Sequence, residues 1–208
     1  MKRRLLQAAL VLAAVALTAC SGPDSSPTSV EKSDKDKAET PAVPVTAKTA
    51  FWEMYKSAHA WAPDMVPLTL SIKTLSGIKN EDGKAGMWEA TFGSPSKKEY
   101  ATFSYAVAAQ PPDVRKGVTA AGAVPWAGET RDAMSFQTSD FQIDSDVAYK
   151  TAYEKAASWL KDHPDIKLTT FSLGAAARVP GPVWSIVWGD KKQGFFQLIS
   201  ASTGKALK

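Results

Sequence analysis

The sequence predicts an α+β protein made of two tandem repeats, each a helix followed by three antiparallel strands, behind a disordered N-terminal tether. Three observations predict it. The chain is similar to itself, each similar stretch opens with apolar residues at helical spacing, and each continues with apolar residues in alternation. When residues 50–76 are laid over residues 148–174 without a gap, seven of 27 positions are identical: Ala50/Ala148, Tyr55/Tyr153, Ala58/Ala156, Trp61/Trp159, Asp64/Asp162, Leu70/Leu168 and Leu75/Leu173. Average composition gives about one or two identities by chance. After a two-residue gap, Trp88, Gly93 and their neighbours fall over Trp184, Gly189 and theirs.

Phe51, Tyr55, Ala58 and Trp61 share one face of a predicted helix, as do Tyr149, Tyr153, Ala156 and Trp159. Asp144 or Ser145 suits the N-cap of the second helix, and Pro164 marks its end. Pro63 should stop the first helix sooner. Leu68, Leu70 and Ile72 then alternate, as do Ile166 and Leu168. Both runs slip phase, to Leu75 in one and to Phe171 and Leu173 in the other, which a bulge or strand end explains. Trp88, Ala90 and Phe92 form one face of the next strand, and Trp184, Ile186 and Trp188 form its counterpart. Gly93 and Gly189 should begin turns, with return strands over 100–107 and 195–201.

The N-terminus carries an export signal. Lys2, Arg3 and Arg4 precede an apolar run over 5–17 that is too short for a permanent span. The ending Leu17-Thr18-Ala19-Cys20 resembles the lipobox of bacterial lipoproteins, in which the cysteine is lipidated and the chain is cut before it. That resemblance implies an exported protein anchored through lipid on Cys20. The anchor would sit in the outer membrane of a Gram-negative cell, or otherwise on the outer face of the cell membrane. Two or three acyl chains give stable anchoring. Cleavage removes three of the 25 Lys and Arg, so the formal charge falls from +4 to about +1. No electrostatic pull toward nucleic acid follows. Cys20 is the one cysteine, so disulfides, thiolate catalysis and Cys metal sites are not expected.

Residues 1–20 are thus read as signal, and 21–47 as a Ser-, Pro- and charge-rich linker without aromatics. Residues 48–110 are the first repeat, 111–143 a connector and 144–208 the second repeat. From 108 to 143, Pro111, Pro112, Gly117, Gly122, Pro125 and Gly128 argue for irregular chain. So long a connection either packs over a sheet, anchored by Trp126 and Phe136, or carries function.

The second repeat resembles the PepSY domain, through the alanine-patterned helix 148–160, the strand Trp184-Ser185-Ile186-Val187-Trp188 and the ending Ser200-Ala201-Ser202-Thr203-Gly204 with its short last strand. Members often carry an aspartate where this chain has Ser200. The resemblance covers residues 144–208 and implies a binding or inhibitory role, such as restraint of a secreted peptidase, rather than catalysis.

The residues themselves offer little chemistry. His59 and His163 stand in no metal-binding spacing and near no obvious triad, so neither a metal nor a cofactor is expected. Asp144 and Asp146 read as helix-start partners. Of the seven tryptophans, Trp61/Trp159 and Trp88/Trp184 are paired and read as core. Trp52, Trp126 and Phe136 are the candidate binding residues, since unpaired aromatics on a secreted surface mark partner patches. The function expected is a non-catalytic, membrane-anchored module that binds a protein or peptide. The alternative is a structural or assembly lipoprotein of the envelope with no protease partner.

Overall fold

The structure is a computed structural model and describes residues 42–207. The export signal, Cys20 and most of the predicted linker lie outside them. Two helices, α1 (Ala47–Trp61) and α2 (Ser145–Asp162), pack on one antiparallel sheet. Its strands are β1 (Val66–Lys73), β2 (Met87–Ser94), β3 (Glu99–Ala106), β4 (Gly117–Ala120), β5 (Val124–Pro125), β6 (Leu168–Gly174), β7 (Val183–Gly189), β8 (Gly194–Ser200) and β9 (Ala206–Leu207). They run β4-β3-β2-β1-β6-β7-β8-β9, with β5 added to β3. The fold is therefore α+β, and the order helix, strand, strand, strand occurs twice along the chain.

The helices form where the apolar spacing falls. Ala50, Phe51, Met54 and Ala58 of α1 are buried, as are Ala148, Ala152 and Ala156 of α2. Asp144 is the N-cap of α2, its carboxylate accepting from the Ser145 N–H at 2.7 Å. Helix α1 ends at Trp61 before Pro63, and α2 ends at Asp162 before Pro164. The start of α1 is unusual, because its own N-cap, Thr46, makes no side-chain cap bond. The Ser145 hydroxyl accepts from the Ala47 N–H at 2.9 Å, and Asp144 accepts from the Lys48 N–H at 3.0 Å. One pair of polar side chains thus serves two helix N-termini, where the unpaired amides favour negative charge.

The strand tryptophans hold the halves alike. Trp88 and Trp184 are both 0% exposed. The Trp88 indole N–H donates to the Val45 carbonyl and that of Trp184 to the Ile143 carbonyl, each at 3.0 Å. Both acceptors lie two residues before a helix. Trp61 and Trp159, read as core, are only partly buried.

Several boundaries differ from the sequence reading. The linker does not reach residue 47, because Val45 pairs with Ala85 and α1 begins at Ala47. Gly93 lies inside β2, not at a turn. The pairing of Leu70 with Leu168 and of Leu75 with Leu173 also fails. Leu70 faces Ala90 and Ile72 faces Trp88, while Phe171 faces Ile186 and Leu173 faces Trp184. Leu70 therefore corresponds to Phe171, and Ile72 to Leu173. The slip of three residues matches the lengths of the helices, 15 residues in α1 and 18 in α2. Bulges do occur at corresponding places, between Pro67 and Thr69 and between Leu168 and Thr170. Leu75 lies past β1 and packs with Ala106 and Val107 in a small separate cluster.

The connector is more ordered than its Gly and Pro content suggests. It contributes β4, β5 and a short 3-10 turn, Thr138–Asp140. Trp126 lies against Gly93, so closely that a β-carbon there would stand 2.7 Å from its ring. Phe141 enters the core between Phe51 and Trp184, at ring separations of 5.4 and 5.7 Å.

Candidate functional site: a cleft between parting central strands

Among the described strands, the two halves of the sheet meet at β1 and β6, through Thr69/Gly174, Leu70/Leu173 and Ser71/Ser172. Under the correspondence set by the tryptophans, Ser71/Ser172 is the pair about which the halves are related. Pairing runs two residues from it in one direction and none in the other. On that second side residues 72–73 of β1 and 168–170 of β6 diverge, each keeping its ladder to its outer neighbour.

A cleft of about 950 Å³ opens where they part. Ile72, Lys73 and Thr74 line one wall, Lys167, Leu168 and Thr169 the other, and Tyr149, Tyr153 and Trp188 lie between them. Tyr149 and Tyr153 are one turn apart on α2 and stack at 5.9 Å, and Tyr149 meets the Trp188 ring at 6.0 Å. Trp188 is buried at its floor, whereas Tyr153 is 47% exposed. Leu160, His163 and Ile166 also line the cleft, and the His163 ring stacks on Trp159 at 4.3 Å. The His163 ring is held by its Nδ1, 2.8 Å from the Trp159 carbonyl.

Residues 79–82 form the rim. Asn80 ties this loop down, donating to the Lys73 carbonyl at 3.0 Å and accepting from the Gly86 N–H at 3.2 Å. The loop rests on the start of α2 at Gly83, whose φ is +75° and where a β-carbon would stand 2.4 Å from the Ser145 carbonyl. Only glycine fits there. Asp82 stands near Tyr149, and burial, the Asp82 charge and Tyr153 all push the Tyr149 hydroxyl above the usual phenol range. Lys79 pairs with Glu81 at 3.2 Å, and Lys73 with Glu89 at 2.8 Å. An apolar aromatic floor under a mixed-charge rim, beside two strand edges, suits a side chain carried on extended backbone.

The opposite end of the seam is closed. Beyond Thr69/Gly174 the connector occupies the gap. The Met134 N–H donates to the Ala175 carbonyl at 3.0 Å, the Phe136 N–H to the Pro67 carbonyl at 3.1 Å, and the Ala177 N–H to the Arg131 carbonyl at 2.8 Å. Arg178 and Asp132 bridge the same two segments at 2.9 Å.

Of the three aromatic residues singled out from sequence, Phe136 takes the place of an anchor for the connector and is not at the surface. It is 4% exposed because it plugs this seam. Trp126 is partly buried against Gly93. Trp52 is 42% exposed and packs edge-on to Phe51 and Tyr55. The three do not come together with the cleft. In the sequence Tyr149 and Tyr153 share one helix face and Trp188 lies on a strand face, with no binding role assigned to them, yet one signal was present. Where the first half has Phe51 and Phe92, the second has Tyr149 and Trp188, each with a polar atom that wants water or a partner.

Among the described residues, no group of three or more His, Cys, Asp or Glu could hold a metal, and every buried side-chain polar atom has a hydrogen-bond partner. Ser200 closes the Thr203-Gly204 turn, accepting from the Thr203 N–H at 3.2 Å. No helix among the described residues is long and apolar enough to cross a membrane.

No family model matches the chain, and no curated protein matches it. Among solved structures, a candidate lipoprotein of Clostridium difficile 630 matches with a TM-score of 0.46 at 11% identity, over 80% of this chain and 91% of that chain. A likeness of this degree carries no argument about partner or activity.

Proposed function

We propose that the protein is a lipid-anchored, extracytoplasmic binding module without catalytic activity, whose two halves are tandem PepSY-like repeats and whose cleft between β1 and β6 receives a protein partner. The observation that carries this reading is the cleft of about 950 Å³, with strand edges for walls and Tyr149, Tyr153 and Trp188 for a floor. Lipid on Cys20 would hold the module at the membrane, and the chain before α1 would let it reach its partner. Restraint of a secreted peptidase is one use of such a cleft, since a protease and its inhibitor commonly meet through extended backbone.

Two experiments test the reading. Radiolabelled palmitate should mark the wild-type chain and not Cys20→Ala, which should leave the membrane fraction. The crosslinked lipoprotein, recovered from its own envelope, should bring down a partner that the Tyr153→Ala form does not. A peptidase in that position supports restraint. Envelope assembly proteins captured equally by both forms would favour a scaffold and sink the cleft.

A further inference from the structure

The two ends of the β1/β6 seam correspond under the relation that equates Leu70 with Phe171 and Ile72 with Leu173. The walls of the open cleft, residues 72–74 and 168–169, therefore correspond to residues 173–175 and 67–68, the walls of the closed end. The floors correspond as well: Tyr149, Tyr153 and Trp188 stand where the first half has Phe51, Tyr55 and Phe92. At the closed end the chain supplies its own filler. After a turn at 131–132, Met134 bridges to Ala175 and the chain reaches Pro67, with the Met134 and Phe136 N–H groups donating to the Ala175 and Pro67 carbonyls and with Phe136 buried. At the open end no described residue takes that place.

We infer that the open cleft binds an extended polypeptide segment of another molecule by strand addition, with an aromatic or large apolar side chain seated on Tyr149, Tyr153 and Trp188. This rests on the binding-module reading and names its ligand class. Backbone hydrogen bonds to the parted edges give affinity without demanding a particular sequence, and the floor selects one side chain of the segment. Other edges among the described strands include the outer side of β4 and the part of β8 beyond β9, which pairs only with Leu198 and Ile199. The free part of β8 carries the exposed Phe196, but among the described residues the cleft alone sets an aromatic floor between two parted strand edges, and this separates it from both.

The test pans phage-displayed random dodecapeptides over the full lipidated chain in detergent micelles. The expected result is a set of binders sharing an aromatic or large apolar residue. Replacing that residue by alanine should weaken binding at least tenfold. Methylating alternate backbone nitrogens should do the same for one register and not for the other. Tyr153→Ala, at an exposed helix position, should fold normally and weaken the same peptides at least fivefold. Binders that ignore both Tyr153→Ala and backbone methylation, or that protect β4 or β8 amides from exchange, would overturn strand addition in the cleft and leave the binding module standing. No enriched peptide, together with a partner captured in the envelope equally with and without Tyr153, would overturn both.

Discussion

The two ends of the central seam have the same walls and different fates. At one end the chain bends back and fills the gap with its own residues 131–136, burying Phe136 to 4% exposure. At the other the strands part directly after Ser71/Ser172 and leave about 950 Å³ between them. The difference lies in what each floor is made of and in what covers it. The first half builds its floor from Phe51 and Phe92, which Phe141 and the connector shield from water. The second offers Tyr149 and Trp188, whose polar atoms tolerate a wet, partly open site. A seam joined by only three residue pairs can be completed at either end by extended chain, and here one completion is built in.

The largest expected effect separates the two ends as structure and as site. Phe136→Ala should cost about 3–5 kcal/mol of stability, because it empties a buried aromatic position. Tyr153→Ala should change stability by no more than about 1 kcal/mol, because its ring is half in solvent. Denaturant unfolding of both variants checks this, and equal losses would break the distinction.

The shared capping arrangement comes next. Ser145→Ala should cost about 1–3 kcal/mol, because it strands the buried Ala47 N–H at the start of α1. Thr46→Ala, at the formal N-cap, should stay within about 0.5 kcal/mol, since that side chain makes no cap bond. Melting curves of the two variants would show whether α1 is capped from within or from across the seam.

A smaller effect concerns acid. Asp64 is held below the usual aspartate range by the Ser96 backbone N–H and by the Ser94 hydroxyl, which donate to it at 2.8 Å each. Its contribution is fully present above the pKa of an unfolded aspartate and is lost as the pH falls through the lower folded value. Asp64→Asn should therefore lower stability near neutrality, leave it little changed at low pH, and so flatten the acid limb of a stability–pH curve. The smallest effect lies in the cleft. Asp82→Asn should lower the pH at which Tyr149 ionises, because it removes a negative charge that opposes phenolate. Ultraviolet titration of the tyrosines reads this, and an unchanged or raised midpoint would mean that the loop does not stand over the ring.

Much of the fold was legible in the sequence, and the seam was not. Helix faces, the Asp144 cap, the stops at Pro63 and Pro164 and the paired Trp88 and Trp184 all follow from local spacing. The join of β1 to β6 is a pairing over about a hundred residues of chain that no local pattern encodes. Leu70 and Leu168 align in sequence, but three more residues in α2 move the register, and only the partner strand reveals it. Phe136 sits in Gly- and Pro-rich chain that reads as surface, and the gap it fills exists only once the halves have met. Tyr149 and Tyr153 share the apolar face of α2, and periodicity cannot tell which part of such a face stays uncovered.

Amide hydrogen exchange along the seam tests the central claim most directly. In the free protein the amides of Met134, Phe136 and Ala177 should exchange slowly, while the cleft-facing amides among residues 72–74 and 168–170 exchange fast. With a peptide selected by panning, those cleft-facing amides alone should become slow. Equal protection of both ends in the free protein, or peptide-induced protection elsewhere with none at the cleft, would contradict the account.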